Sequence, residues 1–500
     1  TALQQLGTLS YFLGRDDPTT TTKEGGWKAD ELVHFYTEVR ALRQHAGRQA
    51  VYDVLGIKDD AAFEALFRTD PTGNSTALQQ LGTLSYFLGR DDPATPTREG
   101  GWSAEQLVEF YAEVLALANH PHVGVVLEVL GLPGRGREDL LRLFRIDPRT
   151  DPAILQALGT ISYFLGRDDP ATPTREGGWK ADELVRFYIE VWALANHPQL
   201  QVVLDVLDIA GGRMGFLNLF RTDVRTNPTA LQQLGVLSYY LGRDDPTTPT
   251  KEGGWSADQL TIFFRRVWEL AADPEAAVVF EVLDIADAAT FLKLFRGKSD
   301  PSAPDDPRLG IFSFYFGFDD PATPYDPETG EGKQEGLNLE PTEMIRLFRI
   351  FRNVADVESF LEFIGLDREQ YFALFRTYDE DDVVANSQRG FVTAFAEGLL
   401  NAYEDWAPFF YEDGRVKDEA LTAKLFRLVV QVEGALAWVF SDNPRVRGGE
   451  AMALARDLLL RPEVWAGLLE VDEEGRFRIL DPIKVEQLFG QPYLTIDIDR

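Results

Sequence analysis

Five hundred residues carry a formal net charge of −32, a surface that repels nucleic acid and anionic membranes. No basic cluster offsets it: Arg213, Arg221 and Arg225 are interleaved with Asp205, Asp208 and Asp223. The lack of cysteine excludes disulfides, thiolate metal sites and cysteine nucleophiles, while a hydrophobic fraction of 44% suffices to build cores.

No apolar run reaches the 18 residues that suggest a transmembrane helix, so partners are expected among proteins, with no nucleic acid and no membrane insertion. The acidity reads first as a solvated surface. The chain opens at Thr1 inside a repeat, from which a missing natural N-terminus is expected. Localisation is expected to be extracellular or at the cell surface of a prokaryote rather than cytoplasmic.

The dominant signal is self-similarity. Thr1–Pro18 reads TALQQLGTLSYFLGRDDP and recurs unchanged at Thr76–Pro93; Ser85–Trp102 recurs unchanged at Ser162–Trp179. The first Asp of each Asp-Asp-Pro triplet stands at Asp16, Asp91, Asp168, Asp244 and Asp319, in steps of 75, 77, 76 and 75 residues. Six copies follow: 1–75, 76–152, 153–228, 229–300, a divergent fifth at 301–387, and a degenerate sixth that serves as a C-terminal cap at 388–500. The fifth keeps Asp319-Asp320-Pro321-Ala322-Thr323-Pro324, inserts a Gly- and charge-rich stretch, and has Leu337 at the place of the earlier Trp. Atypical end copies are what a capped array requires.

Within a copy the periodicity predicts four helices. In the first copy Leu3, Leu6, Leu9 and Leu13 make a helical stripe that stops at Gly14. A polar loop, residues 15–26, leads to a second helix with Leu32, Phe35, Tyr36, Val39 and Leu42. A third helix is expected to begin at the prolines of Asn119-His120-Pro121, Asn196-His197-Pro198 and Asp273-Pro274. A short fourth helix is capped by Asp367 with Gln370, and similarly by Asp60 and Asp287. It ends in Leu-Phe-Arg, as at Leu143-Phe144-Arg145. The fold class is therefore all-α, a tandem array of about 76-residue four-helix repeats, solenoid-like or closely packed beads, with a divergent capping unit. Short links such as residues 70–75 favour contact between neighbours. Alternation over Tyr493–Asp499 adds a short terminal strand.

The recurring loop is the one candidate for chemistry. It brings together Asp16, Asp17 and Glu24; Asp91, Asp92 and Glu99; Asp168, Asp169 and Glu176; Asp244, Asp245 and Glu252; and Asp319, Asp320 and Glu335. Ca2+ takes six to eight oxygen ligands, which such a loop can supply, and the Gly-Gly pair allows a tight turn. The spacing is not that of an EF-hand. The competing reading has the aspartates capping turns and pairing with Arg15, Pro18 stiffening the loop, and Trp27 packing it onto the helices.

Other features have plain structural readings. Tyr11, Phe12, Trp27, Phe35 and Tyr36 lie at core spacing. His34, His45, His120, His122 and His197 form no metal-binding spacing, and Ser10, Ser85, Ser162, Ser238 and Ser313 recur without a partner histidine. No nucleophile elbow, phosphate loop or dinucleotide fingerprint occurs. The expected function is accordingly a non-enzymatic structural or interaction protein, a spacer, scaffold or filament and surface-assembly subunit whose partner is itself or a periodic protein. A calcium-binding adhesin-like module is the alternative, and an enzyme using an acidic pair the last.

Overall fold

A computed structural model describes residues 9–14, 25–68, 74–89, 100–166, 177–222, 227–242, 253–296, 308–318, 336–376, 383–440, 444–472 and 475–489. It is mainly α-helical; among these residues the only sheet has two strands. The expected terminal strand at Tyr493–Asp499 lies outside the described residues.

One compact body comprises Thr1–Asp244, Gly253–Phe264 and Phe295–Pro304. Copy 2 contributes the helices Ser75–Leu88, Ala104–Asn119, Val123–Val129 and Arg137–Phe144; copy 3 contributes Pro152–Leu165, Ala181–Ala195, Leu200–Leu207 and Gly212–Asn218. Sequence spacing explains each. In Ala104–Asn119, Leu107, Phe110, Tyr111, Val114 and Leu117 recur at three- and four-residue steps, and all are buried. That helix starts where Ser103 and Gln106 close a reciprocal capping box. Phe110 then meets Phe87 at 5.5 Å and Phe144 at 6.0 Å, so the first, second and fourth helices of the copy share one aromatic centre.

Three third-helix starts differ from the expectation. The third helices begin at Val123 and Leu200, two residues beyond Pro121 and Pro198, and Pro274 opens a 3-10 turn before Ala277–Leu283. The reason lies in the residue before each proline; before Pro274 it is Asp273, which accepts from the Glu275 amide at 2.8 Å, and in the other two it is a histidine. Nδ1 of His120 accepts from the His122 amide at 3.1 Å, and Nδ1 of His197 from Gln199 at 3.2 Å, which holds each proline in a turn. The cap of Asp60–Leu66 is Asp59, which accepts from Ala62 N at 2.8 Å. Asp60 instead pairs with Arg48 at 2.9 Å, and that bond holds its carboxyl below its usual range. Asp287 and Asp367 do cap, as the spacing suggests.

The other body comprises Asp245–Glu252, Arg265–Leu294 and Asp305–Arg500. Here Ala277–Leu283 packs against Pro341–Val354, and the long helices Val383–Asn401, Glu419–Leu436 and Pro444–Leu460 pack together. Phe426 lies 5.0 Å from Phe360, and Phe395 lies 5.3 Å from Phe410. The sheet is an antiparallel hairpin, β1 (Leu469–Val471) and β2 (Phe477–Ile479), with Leu469 opposite Ile479 and Val471 opposite Phe477. Asp472 closes its turn by accepting from Arg476 N at 2.8 Å.

Tyr111 and Tyr188 hold corresponding places in the second helices; both are fully buried, and among the described residues their hydroxyls have no hydrogen-bond partner. Burial pushes both phenols far above their usual range. Phe264 stands at the same place in copy 4. An unpaired buried hydroxyl costs free energy, so Tyr111→Phe and Tyr188→Phe are each expected to stabilise the protein by roughly 1 kcal/mol. Urea denaturation checks this, with an unchanged slope and a raised midpoint as the expected result.

Candidate functional site

The fifteen carboxylates singled out as possible metal ligands, from Asp16 to Glu335, lie outside the described residues. The structure does describe the neck from which each acidic loop leaves. In copy 1 Gly26 N donates to Gly14 O at 2.6 Å and Trp27 N to Phe12 O at 3.0 Å. Copies 2, 3 and 4 repeat the pair: Gly101 to Gly89 and Trp102 to Phe87; Gly178 to Gly166 and Trp179 to Phe164; Gly254 to Gly242 and Trp255 to Tyr240. The residues that flank each acidic stretch are thus bonded to each other. Gly26, Gly101, Gly178 and Gly254 adopt φ between 73° and 77°, a backbone that side chains disfavour.

The indole that follows does two jobs. Trp102 packs on Phe87 and Phe110 of its own copy, both at 5.2 Å. It also reaches the neck of the next copy. A Cβ on Gly89 would sit 2.6 Å from Cη2 of Trp27; on Gly166, 2.9 Å from Trp102; on Gly242, 2.7 Å from Trp179. The first neck glycine is therefore required by a close approach, although its φ is ordinary. In copy 5 the hydrogen bonds run from Asn338 N to Gly317 O and from Leu339 N to Tyr315 O. Leu339, not Leu337, thus occupies the tryptophan position, directly before the next helix cap, and Asn338 takes the left-handed place of the glycine.

Three further contacts recur where one copy meets the next. Arg145 donates to Val54 O at 2.9 Å, Arg221 to Val129 O, Arg296 to Val206 O and Arg376 to Val282 O, each at 3.0 Å. Each is the arginine of a Leu-Phe-Arg ending, and each caps the C-terminus of the preceding copy's third helix. Glu38 accepts from Ala104 N, Glu113 from Ala181 N and Glu190 from Ala257 N, at 2.7 to 2.9 Å, so each second helix is capped by the copy before it. His120 pairs with Asp182 at 3.7 Å and His197 with Asp258 at 3.2 Å.

Arg266 occupies the glutamate position in copy 4. It is buried, bonds Glu340 at 2.8 Å, and donates to Phe316 O at 2.9 Å and Asn338 Oδ1 at 2.7 Å. The helix it faces begins with Pro341, which has no amide hydrogen to offer a glutamate.

Among the described residues no group of three His, Asp or Glu side chains can hold a metal ion, and no helix is long and apolar enough to cross a membrane. Ser85, Ser162 and Ser238 donate to Gly82, Gly159 and Gly235 carbonyls of their own helices. Phe12, Trp27 and Phe35 are buried as core. Sequence periodicity did not mark the capping arginines and glutamates; their fixed place after Leu-Phe and within the second helix is the signal that finds them.

No protein-family model matches the chain, and neither a curated protein nor a solved structure matches it.

Burial opposes ionisation of Glu340, but the hydrogen bond and charge of Arg266 outweigh it and keep the carboxyl below its usual 4.5. The stability this contributes is present above pH 4.5 and is lost as pH falls through the lowered value. Arg266→Met, which strands Phe316 O and Asn338 Oδ1 as well, is expected to cost about 3 kcal/mol at pH 7. The same variant should flatten the acid limb of the stability curve below pH 4.5. Denaturation midpoints measured between about pH 3 and 7 decide it; a variant with an unaltered acid limb would remove the pair from this role.

Proposed function

We propose that the chain is a non-enzymatic interaction or scaffold protein, a tandem array of four-helix repeats of about 76 residues that presents an acidic loop at regular intervals to a periodic partner or to its own kind. The observation that carries this reading is the recurrence of one capping contact, Arg145 to Val54, Arg221 to Val129, Arg296 to Val206 and Arg376 to Val282. A contact renewed at each step propagates one surface along the chain, in the nearest-neighbour manner of repeat proteins. Supporting it too, the recurring serines and histidines are used up in helix and turn hydrogen bonds. In sedimentation over a concentration series and in images of the native setting, the protein is expected to associate with a surface, a fibre or itself. A monodisperse monomer at high concentration, bound to no surface or fibre, would count against the scaffold.

The closed necks favour a second reading, in which the loops hold calcium and the array is adhesin-like. The residues on either side of the stretch that carries Asp91, Asp92 and Glu99 are bonded to each other, and joined ends lower the ordering cost of binding a cation. Millimolar Ca2+ added to the full chain should then raise its melting temperature by several degrees, on the order of the linkage effect at saturating ligand. An unshifted melt removes this reading and leaves the first intact.

A further inference from the structure

The leading side of copy 1 repeats, residue for residue, a surface that is an occupied interface in the copies behind it. Leu9, Leu13 and Val33 are exposed, Val33 by 66%. Their counterparts Leu84, Leu88 and Val108 in copy 2, Ile161, Leu165 and Val185 in copy 3, and Leu237, Leu241 and Thr261 in copy 4 are all buried. Packing from the preceding copy is what buries them. The helix Ser75–Leu88 lies on Ala29–Gln44, and Ala104–Asn119 lies on Arg48–Leu55. A Cβ on Gly47 would come within 2.7 Å of Val108.

The polar half of the interface is present as well. Arg68 has the position of Arg145, Arg221 and Arg296; its side chain is 66% exposed and folds back on Glu64 of its own helix, whereas that of Arg145 is 33% exposed. Ala29 begins its helix as Ala104, Ala181 and Ala257 do, but no glutamate of another copy is bonded to its amide. At Gly14 the nearest atoms are those of Ser10, with no indole of the kind that stands against Gly89, Gly166 and Gly242.

We infer that this face is a docking socket that accepts one further repeat of the chain's own kind in tandem. That repeat would set its third helix on Val33, its tryptophan against Gly14 and its glutamate on the Ala29 amide, and would offer third-helix carbonyls to Arg68. The inference rests on the array reading. The chemistry singles out a repeat resembling copies 1 to 3 as the occupant, because Leu339 and Arg266 replace the tryptophan and the glutamate at the later positions. Burial of three apolar side chains supplies the drive, and the guanidinium and carboxylate caps set the register.

The experiment lengthens the full chain by placing a second Thr1–Ser75 segment ahead of Thr1. The new junction is then Ser followed by Thr, the same as the natural junction at Ser75 and Thr76. Hydrogen exchange of Ala29–Gln44 in the original copy should slow by about tenfold or more, and Trp27→Ala with Glu38→Ala in the added segment should reverse much of that gain. In the unlengthened chain Val33→Asp should shift the melting temperature by no more than about 2 °C, while Val108→Asp lowers it by about 10 °C or more. If Val108→Asp is tolerated, the array reading itself fails. If Val108→Asp is damaging but lengthening leaves exchange in Ala29–Gln44 unchanged, the array stands and the socket is overturned. Self-association of the unlengthened chain that Val33→Asp abolishes would assign the face to a second molecule and likewise overturn the inference.

Discussion

A helix of seven or eight residues cannot satisfy its own last carbonyl groups, and it is too short to persist on its propensity alone. The third helices, Arg48–Leu55, Val123–Val129, Leu200–Leu207 and Ala277–Leu283, are all of this kind. Each ends with its final carbonyls turned to the guanidinium of an arginine some ninety residues further on. The chain leaves these helices through a left-handed residue, glycine at Gly56 and Gly131 and aspartate at Asp208 and Asp284. Where it is Asp208, its carboxylate lies 3.9 Å from the same arginine. Charge-assisted bonds to carbonyls contribute more than neutral ones, and here they are placed where the macrodipole also favours a cation. The neck tryptophans of copies 1 to 4, the glutamate caps and the apolar stripe lie along the same stretches of contact between successive copies as this bond.

The junction between copies 4 and 5 shows the constraint by how it changes. Three earlier glutamates serve one amide each, at Ala104, Ala181 and Ala257. With Pro341 at the first helical position the donor disappears, and a buried glutamate there would face an uncompensated desolvation cost. Arg266 takes its place and Glu340 stands at the cap, so the polarity of the contact is reversed while its location is kept. The buried guanidinium uses the Phe316 and Asn338 oxygens for its remaining donors, which meets the requirement that a buried charge be paired and bonded.

The helices were legible in the sequence because their apolar residues recur at three and four and most of those residues are buried. The recurring aromatics Phe12, Trp27 and Phe35 were legible as core for the same reason. Helix starts were less so. Pro121 and Pro198 look like first helical residues, but a histidine ring nitrogen three residues before each helix claims the next amide and delays it. Asp59 and Asp60 are adjacent carboxylates, and only the position of Arg48 decides which one caps. The hairpin β1–β2 escaped notice because three residues per strand are too few for alternation to register. The contacts between copies were invisible for a different reason: an arginine after Leu-Phe reads as a solvated end, and nothing local says that its partner is a carbonyl in the repeat before. The candidate loops were readable as a composition, and the structure adds the fastened necks that deliver them.

The reversed pair at Arg266 and Glu340 also sets the fourth copy of the sequence apart from the three before it. The second helices of copies 1, 2 and 3 each carry a glutamate, and those of copies 2, 3 and 4 each begin with an amide that donates to it, so exchanging one of these junctions for another leaves the charges matched. Removing copy 4 would instead set Glu190 opposite Glu340, two carboxylates in a place built for one.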